Sequence, residues 1–566
     1  MKMTLTGMAC VLMLAAQSMP GQAQTQINET WYRKIDQDES DFVSAICTDK
    51  YGNSYVTGNS YSIPPGASLK EHCVLTVKVN TNGQTLWTRN LFVPQNYGAM
   101  SKSIASDDSG NVYVLYQSRF DYGDTIMNRL VVNKYDPQGN TIWNKYLTEY
   151  QHGLTEEVSP REFIYRDGFL YCAGGTNFMP DGPANIDGFL YKVNAVTGNV
   201  VWRSVYDGPL GSDDAFRGCM PGPNGDVWAV GRSKGLLGPT GIFSDYDILV
   251  ARYNASGVLQ WSYLLNGSGN SDDIGLNLVV DAQGNSYHSS QIDVLGMGSD
   301  SIVVEKISPS GQRLWRHGFI GSNSGSTRKQ PILLLPSGDV VVTSNTANGI
   351  TTFAMNALTG AELWRTHYSR AAQGAADKPY EMIVDTAGNI YIAGGTRHNS
   401  GILDDVTTLK YNSSGVLQWY AYYNEPHIGS QDMGVSLALD DVQNVYTIGW
   451  VQDSLYNDDY FIAKYGNALP PVEPDPEPTA IKRIAMQDMK VYPNPADQFL
   501  IVERADRESL PAKLILRNVA GQTVWQGKTT KEQQRIDLRL LPPGAYILEY
   551  ADDKNFPLRQ KIMIRH

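Results

Sequence analysis

Residues 385–396, DTAGNIYIAGGT, and residues 407–419, TTLKYNSSGVLQW, are the two halves of a unit that recurs eight times along the chain. In the first half, Gly-Asn supplies a turn with positive φ, and the alternating apolar residues after it predict a strand with one buried face. The second half predicts a further hairpin that ends on a tryptophan. The unit therefore predicts short antiparallel strands joined by tight turns.

The turn and the strand after it recur as YGNSYVTG (51–58), SGNVYVLY (109–116), DGFLYCAG (167–174), NGDVWAVG (224–231), QGNSYHSS (283–290), SGDVVVTS (337–344), AGNIYIAG (387–394) and QNVYTIGW (443–450). The tryptophan that ends the second hairpin returns every 49 to 59 residues, at Trp87, Trp143, Trp202, Trp261, Trp315, Trp364 and Trp419. An all-β repeat of this period, rich in glycine and aromatic residues, is typical of a β-propeller with four strands per blade. We expect these tryptophans to pack between blades.

The two ends of the repeat region determine the predicted blade count. An eighth tryptophan, Trp31, precedes the first turn, and the last hairpin, which ends at residues 461–465, has no tryptophan strand after it. We expect the Trp31 strand to close the final blade, because closure removes exposed sheet edges. The predicted fold is therefore an all-β, eight-bladed propeller, and seven blades with one odd unit is the alternative.

The repeats resemble two propeller families. The segments DKYGNSYVTG (49–58) and DTAGNIYIAGGT (385–396) are similar to β-propeller repeats of secreted bacterial proteins. The segments NAVTGNVVW (194–202) and NALTGAELW (356–364) are similar to the tryptophan-docking repeats of pyrroloquinoline-quinone enzymes, which also have eight blades. The resemblance covers residues 27–466 and implies fold more than function. Quinone enzymes of this family usually carry adjacent cysteines over the cofactor; this chain has none, which argues against that cofactor.

Composition and charge exclude some classes of function. The formal net charge of −12 offers no basic face for nucleic acid. Residues 1–23 read as a secretory signal peptide, with Lys2, a short apolar run and small residues before Gln24. No segment predicts a transmembrane helix. The four cysteines outside the signal show no CxxC spacing; we expect buried thiols more than disulfides at Cys47, Cys73, Cys172 and Cys219.

In six of the eight units a carboxylate lies eleven residues before the turn glycine, or before Gln443 in the last unit, just ahead of the innermost strand; Ala99 and Thr327 stand there in units two and six. One hypothesis is a ring of hard oxygen donors around a channel mouth that binds Ca²⁺ or a basic ligand. The alternative is that each carboxylate caps the turn of its own blade by accepting backbone N–H bonds. The candidate metal ligands are Asp41, Glu157, Asp214, Asp273, Asp377 and Asp432.

A second repeated series is cationic: the third strand of most units carries a lysine or arginine, for which inter-blade ion pairs are expected. No catalytic motif accompanies these series. The eight histidines are scattered without HExxH, and there is no G-x-S-x-G elbow or Walker loop. Carboxylates from different blades could still cleave glycosides without leaving a local motif. Enzyme activity is therefore left open, with a binding role favoured.

After the propeller (24–468), residues 469–480 alternate proline with acid and predict a stiff linker. Residues 481–566 then show alternating apolar positions between Gly and Pro turns, which predict a small Ig-like antiparallel sandwich of some seven strands. This stretch resembles the type A C-terminal sorting domain of the type IX secretion system of Bacteroidota. The resemblance rests on Tyr492, Pro493, Asn494, Pro495, Gly521, Gly544, Tyr546, Lys561 and Arg565.

The sorting-domain resemblance implies a route and partners. The chain would pass through the periplasm, engage the type IX machinery and its sortase, and reach the cell surface or the medium, with surface lipopolysaccharide as a possible anchor. We therefore predict a surface or secreted propeller that binds a glycan or protein. The alternative is an extracellular carbohydrate-active or divergent quinoprotein-like enzyme.

Overall fold

The computed structural model describes residues 25–35, 41–64, 70–93, 98–122, 125–148, 158–176, 185–234, 246–267, 272–293, 300–320, 330–346, 349–370, 377–397, 404–425, 432–453, 457–466, 489–504, 512–518, 522–529, 533–551 and 558–565. The chain divides into two compact units, Met1–Val472 and Glu473–His566. The predicted signal peptide (1–23) and linker (469–480) lie outside the described residues.

The first unit begins with β1 (Thr25–Gln26) and β2 (Trp31–Ile35). Sheets 1 to 4 follow, each formed by four consecutive strands: β3 (Phe42–Thr48), β4 (Ser54–Ser62), β5 (Glu71–Val79) and β6 (Thr85–Leu91); β7 (Gly98–Ser106), β8 (Val112–Tyr122), β9 (Thr125–Tyr135) and β10 (Thr141–Tyr146); β11 (Val158–Arg166), β12 (Phe169–Thr176), β13 (Asp187–Asn194) and β14 (Val200–Tyr206); β15 (Asp214–Pro221), β16 (Val227–Lys234), β17 (Tyr246–Tyr253) and β18 (Leu259–Leu265). A short 3-10 helix, Pro223–Gly225, lies between β15 and β16.

Sheets 5 to 8 complete the unit: β19 (Ile274–Val280), β20 (Ser286–Asp293), β21 (Asp300–Ile307) and β22 (Arg313–Ile320); β23 (Ile332–Leu334), β24 (Val340–Thr346), β25 (Gly349–Met355) and β26 (Glu362–Tyr368); β27 (Lys378–Val384), β28 (Ile390–Arg397), β29 (Asp404–Tyr411) and β30 (Leu417–Tyr423); β31 (Met433–Leu439), β32 (Val445–Gln452) and β33 (Asp458–Tyr465). The fourth strand of sheet 8 is β2, with Trp31 opposite Lys464. The pairing predicted for the Trp31 strand is thus confirmed. Strand β1 adds to sheet 7 in parallel with β30.

The first strands of the sheets stand side by side. Strand β3 contacts β7, and the contacts continue through β11, β15, β19, β23 and β27 to β31, which in turn contacts β3. Apolar clusters lie between neighbouring sheets; one of them joins Val56 and Val77 of sheet 1 to Tyr446 and Ile462 of sheet 8. Four-stranded sheets packed face to face around a common axis make the first unit a β-propeller.

The turns between first and second strands repeat one hydrogen-bond pattern. In sheet 7, Asp385 Oδ1 accepts from the backbone of Ala387 (2.9 Å) and Asn389 (2.8 Å), and its Oδ2 accepts from Asn389 Nδ2 (2.7 Å) and Tyr391 Oη (3.0 Å). Burial raises the pKa of Asp385, but these bonds outweigh burial and hold the pKa below its usual value. Gly388 has φ +83°, and Gln443 takes the same conformation (φ +67°) in sheet 8. The turn predicted from Gly-Asn is confirmed.

The tryptophans link neighbouring sheets, as predicted. Trp87 Nε1 donates to the carbonyl of Pro137 in sheet 2 (3.0 Å), and its indole lies against Gly139, where a Cβ would come within 2.8 Å. Lys78 Nζ donates to the same carbonyl (3.3 Å). Equivalent bonds join Trp31 to Thr81, Trp143 to Val196, Trp202 to Ala255, Trp261 to Pro309, Trp315 to Ala357 and Trp364 to Ser413.

Three of the third-strand cations, for which inter-blade ion pairs were predicted, lie beside an acid of their own sheet: Lys78 lies 3.9 Å from Asp49, Lys134 lies 4.0 Å from Asp107, and Arg252 lies 2.5 Å from Asp226. The bond to the next sheet goes to a backbone carbonyl instead. The turn aspartate already faces the third strand within its sheet, so the cation meets that carboxylate first.

The second unit contains β34 (Met489–Tyr492), β35 (Phe499–Arg504), β36 (Ala512–Asn518), β37 (Thr523–Thr529), β38 (Gln533–Asp537), β39 (Gly544–Ala551) and β40 (Leu558–Ile564). They form two antiparallel sheets, in the orders β34-β35-β38 and β37-β36-β39-β40. Leu500 and Ile536 of the first sheet share one core with Leu514, Leu548 and Ile562 of the second. The prediction of about seven strands is confirmed for the described residues.

Candidate functional site

A β-bulge recurs in the first strand of seven sheets. In each, one residue of the first strand has no partner in the register of the second strand, and it interrupts the alternation of side chains. Bulges bend a strand and re-aim a side chain, and they are frequent next to functional sites. The bulge residues are Ser44, Lys102, Arg161, Arg217, Leu276, Tyr380 and Val435.

The first strands of all eight sheets line a cavity of about 520 Å³ at the centre of the propeller. The cavity reaches the bulge residues Lys102 and Arg217, and Glu381 lines it from sheet 7. Three residues beyond the bulge, the lining side chains are apolar: Ile164, Met220, Val279 and Ile383, with Leu333 from sheet 6. We call the first of these the charged level, which the bulge residues Ser44 and Leu276 also line, and the second the apolar level.

The described candidate metal ligands lie at the entries to the first strands, and four of them accept hydrogen bonds from backbone N–H groups. Asp377 Oδ2 accepts from Arg370 N (3.1 Å) and its Oδ1 from Arg397 N (3.0 Å). Asp432 is bonded in the same way by Glu425 N (2.7 Å) and Gln452 N (3.0 Å). Each of these two carboxylates therefore joins the connection before its strand to the end of the second strand of its own sheet.

Asp41, Asp214 and Asp273 are also buried, at 0%, 1% and 0% exposure. Asp214 Oδ2 accepts from Gly208 N (2.5 Å), and Asp273 Oδ2 from Gly267 N. The backbone N–H groups of all three donate to the preceding sheet in the ring, at Asp458, Ile186 and Tyr246. The sixth candidate, Glu157, lies outside the described residues.

The structure does not bring these five carboxylates together. In the part of the chain that it describes, one group of three acidic side chains has oxygens within 4.8 Å of one another: Asp187, Asp207 and Asp214. Burial raises the pKa of Asp187 to about 6, and the neighbouring charges of Asp207 and Asp214 add to the effect. Burial likewise raises the pKa of Asp214 to about 6, although the hydrogen bond from Gly208 N opposes it.

A buried acid–base pair in sheet 5 was not predicted. His288 on β20 lies opposite Glu305 on β21, both wholly buried, with Nε2 and Oε2 3.2 Å apart. Arg313 and Arg316 lie 3.4 Å and 3.7 Å from Glu305 Oε1. Burial raises the pKa of Glu305, but His288 and the two arginines outweigh it and hold the pKa below its usual value. Sheet 1 has Val56 opposite Val77 at these positions.

The sorting-motif residues of the second unit hold its last strand. Asn494 Nδ2 donates to Lys561 O (2.9 Å), and its Oδ1 accepts from Met563 N (2.9 Å). The peptide bonds before Pro493 and Pro495 are cis. Arg565 N donates to Ala496 O (2.7 Å). The YPNP segment therefore binds the backbone of β40 and its end.

Two tyrosines of the motif also have defined partners. Tyr492 Oη donates to Glu503 Oε2 (2.6 Å), and Tyr546 Oη donates to Pro542 O (2.7 Å). Gly544 begins β39 and lies opposite Ile564 of β40. Gly521 lies outside the described residues. The motif thus acts within the fold of the unit, at the turns that position its C-terminal strand.

This geometry defines a β-propeller protein with a separate C-terminal β domain. Residues 490–565 match the secretion system C-terminal sorting domain family. The sorting domain indicates export through the type IX secretion system to the cell surface or the medium, and it implies contact with the secretion machinery. No curated protein sequence matches the chain.

Solved structures with similarity to the chain include a protein of unknown function from Dyadobacter fermentans (8% identity, TM-score 0.36, 77% of this chain and 98% of that chain covered). PorZ, a bacterial surface component of the type IX secretion system of Porphyromonas gingivalis, gives 10% identity, TM-score 0.20 and coverages of 94% and 100%. Regucalcin from Agrobacterium tumefaciens gives 11%, 0.29, and 56% and 95%.

None of the described helical residues forms a segment with the length and hydropathy needed to cross a bilayer. The four described cysteines form no disulfide. Burial raises the pKa of Cys47 and of Cys73 to about 12, so both thiols stay protonated at neutral pH.

Proposed function

We propose that the chain is a cell-surface or secreted eight-bladed propeller that binds a glycan or protein, with an Ig-like C-terminal domain as its export and anchoring signal. The signal peptide at residues 1–23 and the linker at 469–480 complete this proposal. Closure of the ring by Trp31 supports eight blades, because β2 supplies the fourth strand that sheet 8 lacks in sequence order.

The observation that carries the binding role is the difference between the two ends of the sheets. At one end, the turns between first and second and between third and fourth strands are almost all five residues long and repeat one hydrogen-bond pattern. At the other end, the connections vary from 2 to 11 residues. Uniform turns build the scaffold, whereas connections of variable length on a rigid frame are where binding surfaces usually lie. We call this second end the variable rim.

Exposed aromatic side chains lie at the variable rim. Phe42 is the first residue of β3 and is 48% exposed; Tyr61 is near the end of β4 and is 42% exposed. Both lie at the end of sheet 1 opposite the Asp49–Asn53 turn. Flat aromatic side chains provide large, rigid contact area for protein partners and stacking surfaces for sugar rings. These two residues are the candidates for direct ligand contact in sheet 1.

The test is an array of bacterial and host glycans and matrix proteins probed with the full chain. Binding that is lost in Phe42→Ala and Tyr61→Ala supports the proposal. Leu86→Ala is the matched control, since Leu86 is also exposed (49%) but lies on the outermost strand of the same sheet. Equal binding by all three variants would contradict a site at the variable rim.

The alternative is a carbohydrate-active enzyme, and the group of Asp187, Asp207 and Asp214 is the observation that favours it. Two carboxyls with pKa near 6, set close together, are suited to general acid–base chemistry. Turnover of a polysaccharide panel that is abolished in Asp187→Asn would establish this function. Rim binding without turnover would support the scaffold instead.

A further inference from the structure

We infer that the central cavity binds a small organic anion with an apolar body, as a second site distinct from the variable rim. The inference rests on the proposed binding function and adds a ligand class to it. Its basis is the distribution of charge among the bulge residues. The structural needs of the repeat do not explain this distribution, because it differs from sheet to sheet.

The bulge residues that carry a cation and line the cavity are Lys102 of sheet 2 and Arg217 of sheet 4. The bulge residues of sheets 1, 5, 7 and 8 are Ser44, Leu276, Tyr380 and Val435, none of them cationic. A residue that served only the repeat would recur around the ring. The cations are instead confined to one sector.

The cavity carries an acid on its other side. Glu381, one residue past the bulge of sheet 7, lines it three sheets away from Lys102 and three from Arg217. The lining is therefore polarised, with cations from sheets 2 and 4 and a carboxylate from sheet 7 across from them. An anionic group is favoured at the cationic sector and disfavoured beside Glu381.

The apolar level of the cavity determines the second part of the ligand, its apolar body. Ile164, Met220 and Ile383 line the cavity three residues beyond the bulge level, roughly 10 Å along an extended strand at about 3.3 Å per residue. A ligand that spans both levels needs an acidic head and an apolar body of that length. A volume of about 520 Å³ accommodates such a molecule and lies in the range of small-molecule pockets.

The experiment is calorimetric titration of the full chain with naphthalene-2-sulfonate, decanoate and phenyl phosphate. Naphthalene-2-sulfonamide, an uncharged molecule of matched shape, is the ligand control. We expect at least one anion to bind and the sulfonamide to bind more weakly than the sulfonate. Lys102→Gln and Arg217→Gln should each raise the Kd of the bound anion at least fivefold, whereas Lys102→Arg should restore it.

Glu381→Gln should act in the opposite direction and lower the Kd about twofold or more, because it removes the opposing charge. Lys50→Gln, an exposed lysine in a turn at the far end of the strands, should leave the Kd unchanged. Thermal unfolding of every variant establishes that it is folded. Absence of binding by all three anions, or a Kd unchanged in folded Lys102→Gln and Arg217→Gln, would overturn the inference.

The experiments can contradict the rim proposal and the cavity proposal independently of each other. Loss of array binding in Phe42→Ala with intact anion binding would remove the rim site alone. Intact array binding with no anion binding would remove the cavity site alone. Lys102→Gln therefore serves as the control in the array, and Phe42→Ala as the control in the calorimetry.

Discussion

Trp31 and Lys464 donate hydrogen bonds to the same acceptor, the carbonyl oxygen of Thr81, at 2.8 Å and 3.3 Å. The two residues come from opposite ends of the repeat region and lie opposite each other in sheet 8, whereas Thr81 belongs to sheet 1. One carbonyl therefore joins the N-terminal strand, the last repeat strand and the first sheet. This contact is one of those that close the ring between sheets 8 and 1.

Removing the closing indole should weaken the whole propeller. Trp31→Ala loses a hydrogen bond and partly buried aromatic area, so we expect the free energy of unfolding to fall by about 2–3 kcal/mol. Denaturant unfolding followed by tryptophan fluorescence measures it. Arg33→Ala, an exposed change on the same strand, should stay within about 0.5 kcal/mol. Equal losses in both variants would show that the indole is not a closing contact.

The turn aspartates should be more costly to remove than exposed turn residues. Asp385→Ala leaves four donors around a buried position without their acceptor, and we expect a loss of about 2–4 kcal/mol. Thr386→Ala, one residue later and exposed, is the matched control. Denaturant unfolding compares them, and a loss below about 1 kcal/mol for Asp385→Ala would refute the role given to this turn.

The acidic group in sheets 3 and 4 should make stability depend on pH. The pKa values of Asp187 and Asp214 in the folded chain, about 6, exceed the unfolded value near 3.9. Their contribution to stability is therefore fully present below about pH 4 and is lost as pH rises through 6. Asp207→Asn removes a repelling charge, so it should raise Tm at pH 7 by about 1 °C and have less effect at pH 5.

The comparison is made between variants at each pH, because Asp432, whose pKa burial also raises to about 6, titrates in all of them. Asp108→Asn removes an exposed carboxylate from a turn in sheet 2 and should give the same small change at both pH values.

If Ca²⁺ binds the group of Asp187, Asp207 and Asp214, added Ca²⁺ should raise Tm in the parent and not in Asp207→Asn. A Tm that is unchanged by both Ca²⁺ and chelator would count against Ca²⁺ binding by this group.

The buried pair in sheet 5 should be replaceable only as a pair. Glu305→Val leaves His288 and two arginines beside an apolar position, and we expect a loss of about 3–5 kcal/mol. The double variant His288→Val/Glu305→Val copies the Val56–Val77 pair of sheet 1 and should recover most of that loss. Equal losses in the single and double variants would contradict this account.

Asn494 should be needed for export because it holds the last strand of the sorting domain. Asn494→Ala removes both bonds to β40, and we expect the exported fraction to fall severalfold while propeller stability is unchanged. Arg539→Ala, an exposed residue of the same domain, is the control. Immunoblots of the medium, the cell surface and the periplasm measure the distribution. Normal export of Asn494→Ala would show that the motif acts otherwise.

The fold was predictable because its chemistry is local and repeated. The Gly-Asn turns and the tryptophan spacing predict the position of each hairpin, and Trp31 indicates how the ring closes. The cations of the third strand show the limit of this reasoning. The sequence shows which residues they are, but their ion-pair partner depends on which carboxylate the folded sheet places closest to them. Lys78 meets Asp49 in its own sheet, which sequence spacing does not reveal.

The candidate site was less accessible to sequence reasoning. Counting back from the turn glycine, or from Gln443, found buried carboxylates such as Asp377 and Asp432. Their backbone donors come from connections whose lengths differ from sheet to sheet, so the sequence spacing does not identify them. Lys102 and Arg217 line the cavity because a bulge turns them inward, and a bulge is a property of register between two strands. A search for charged residues near the start of each first strand would have found both.

The measurement that tests the central claim most directly is binding of the full chain to its array ligand with Phe42→Ala, Tyr61→Ala and Leu86→Ala compared side by side. The account predicts at least tenfold weaker binding for the two rim variants and unchanged binding for Leu86→Ala, a difference of about 1.4 kcal/mol. Binding that survives both rim changes, or falls equally in the control, would contradict a binding face at the variable rim.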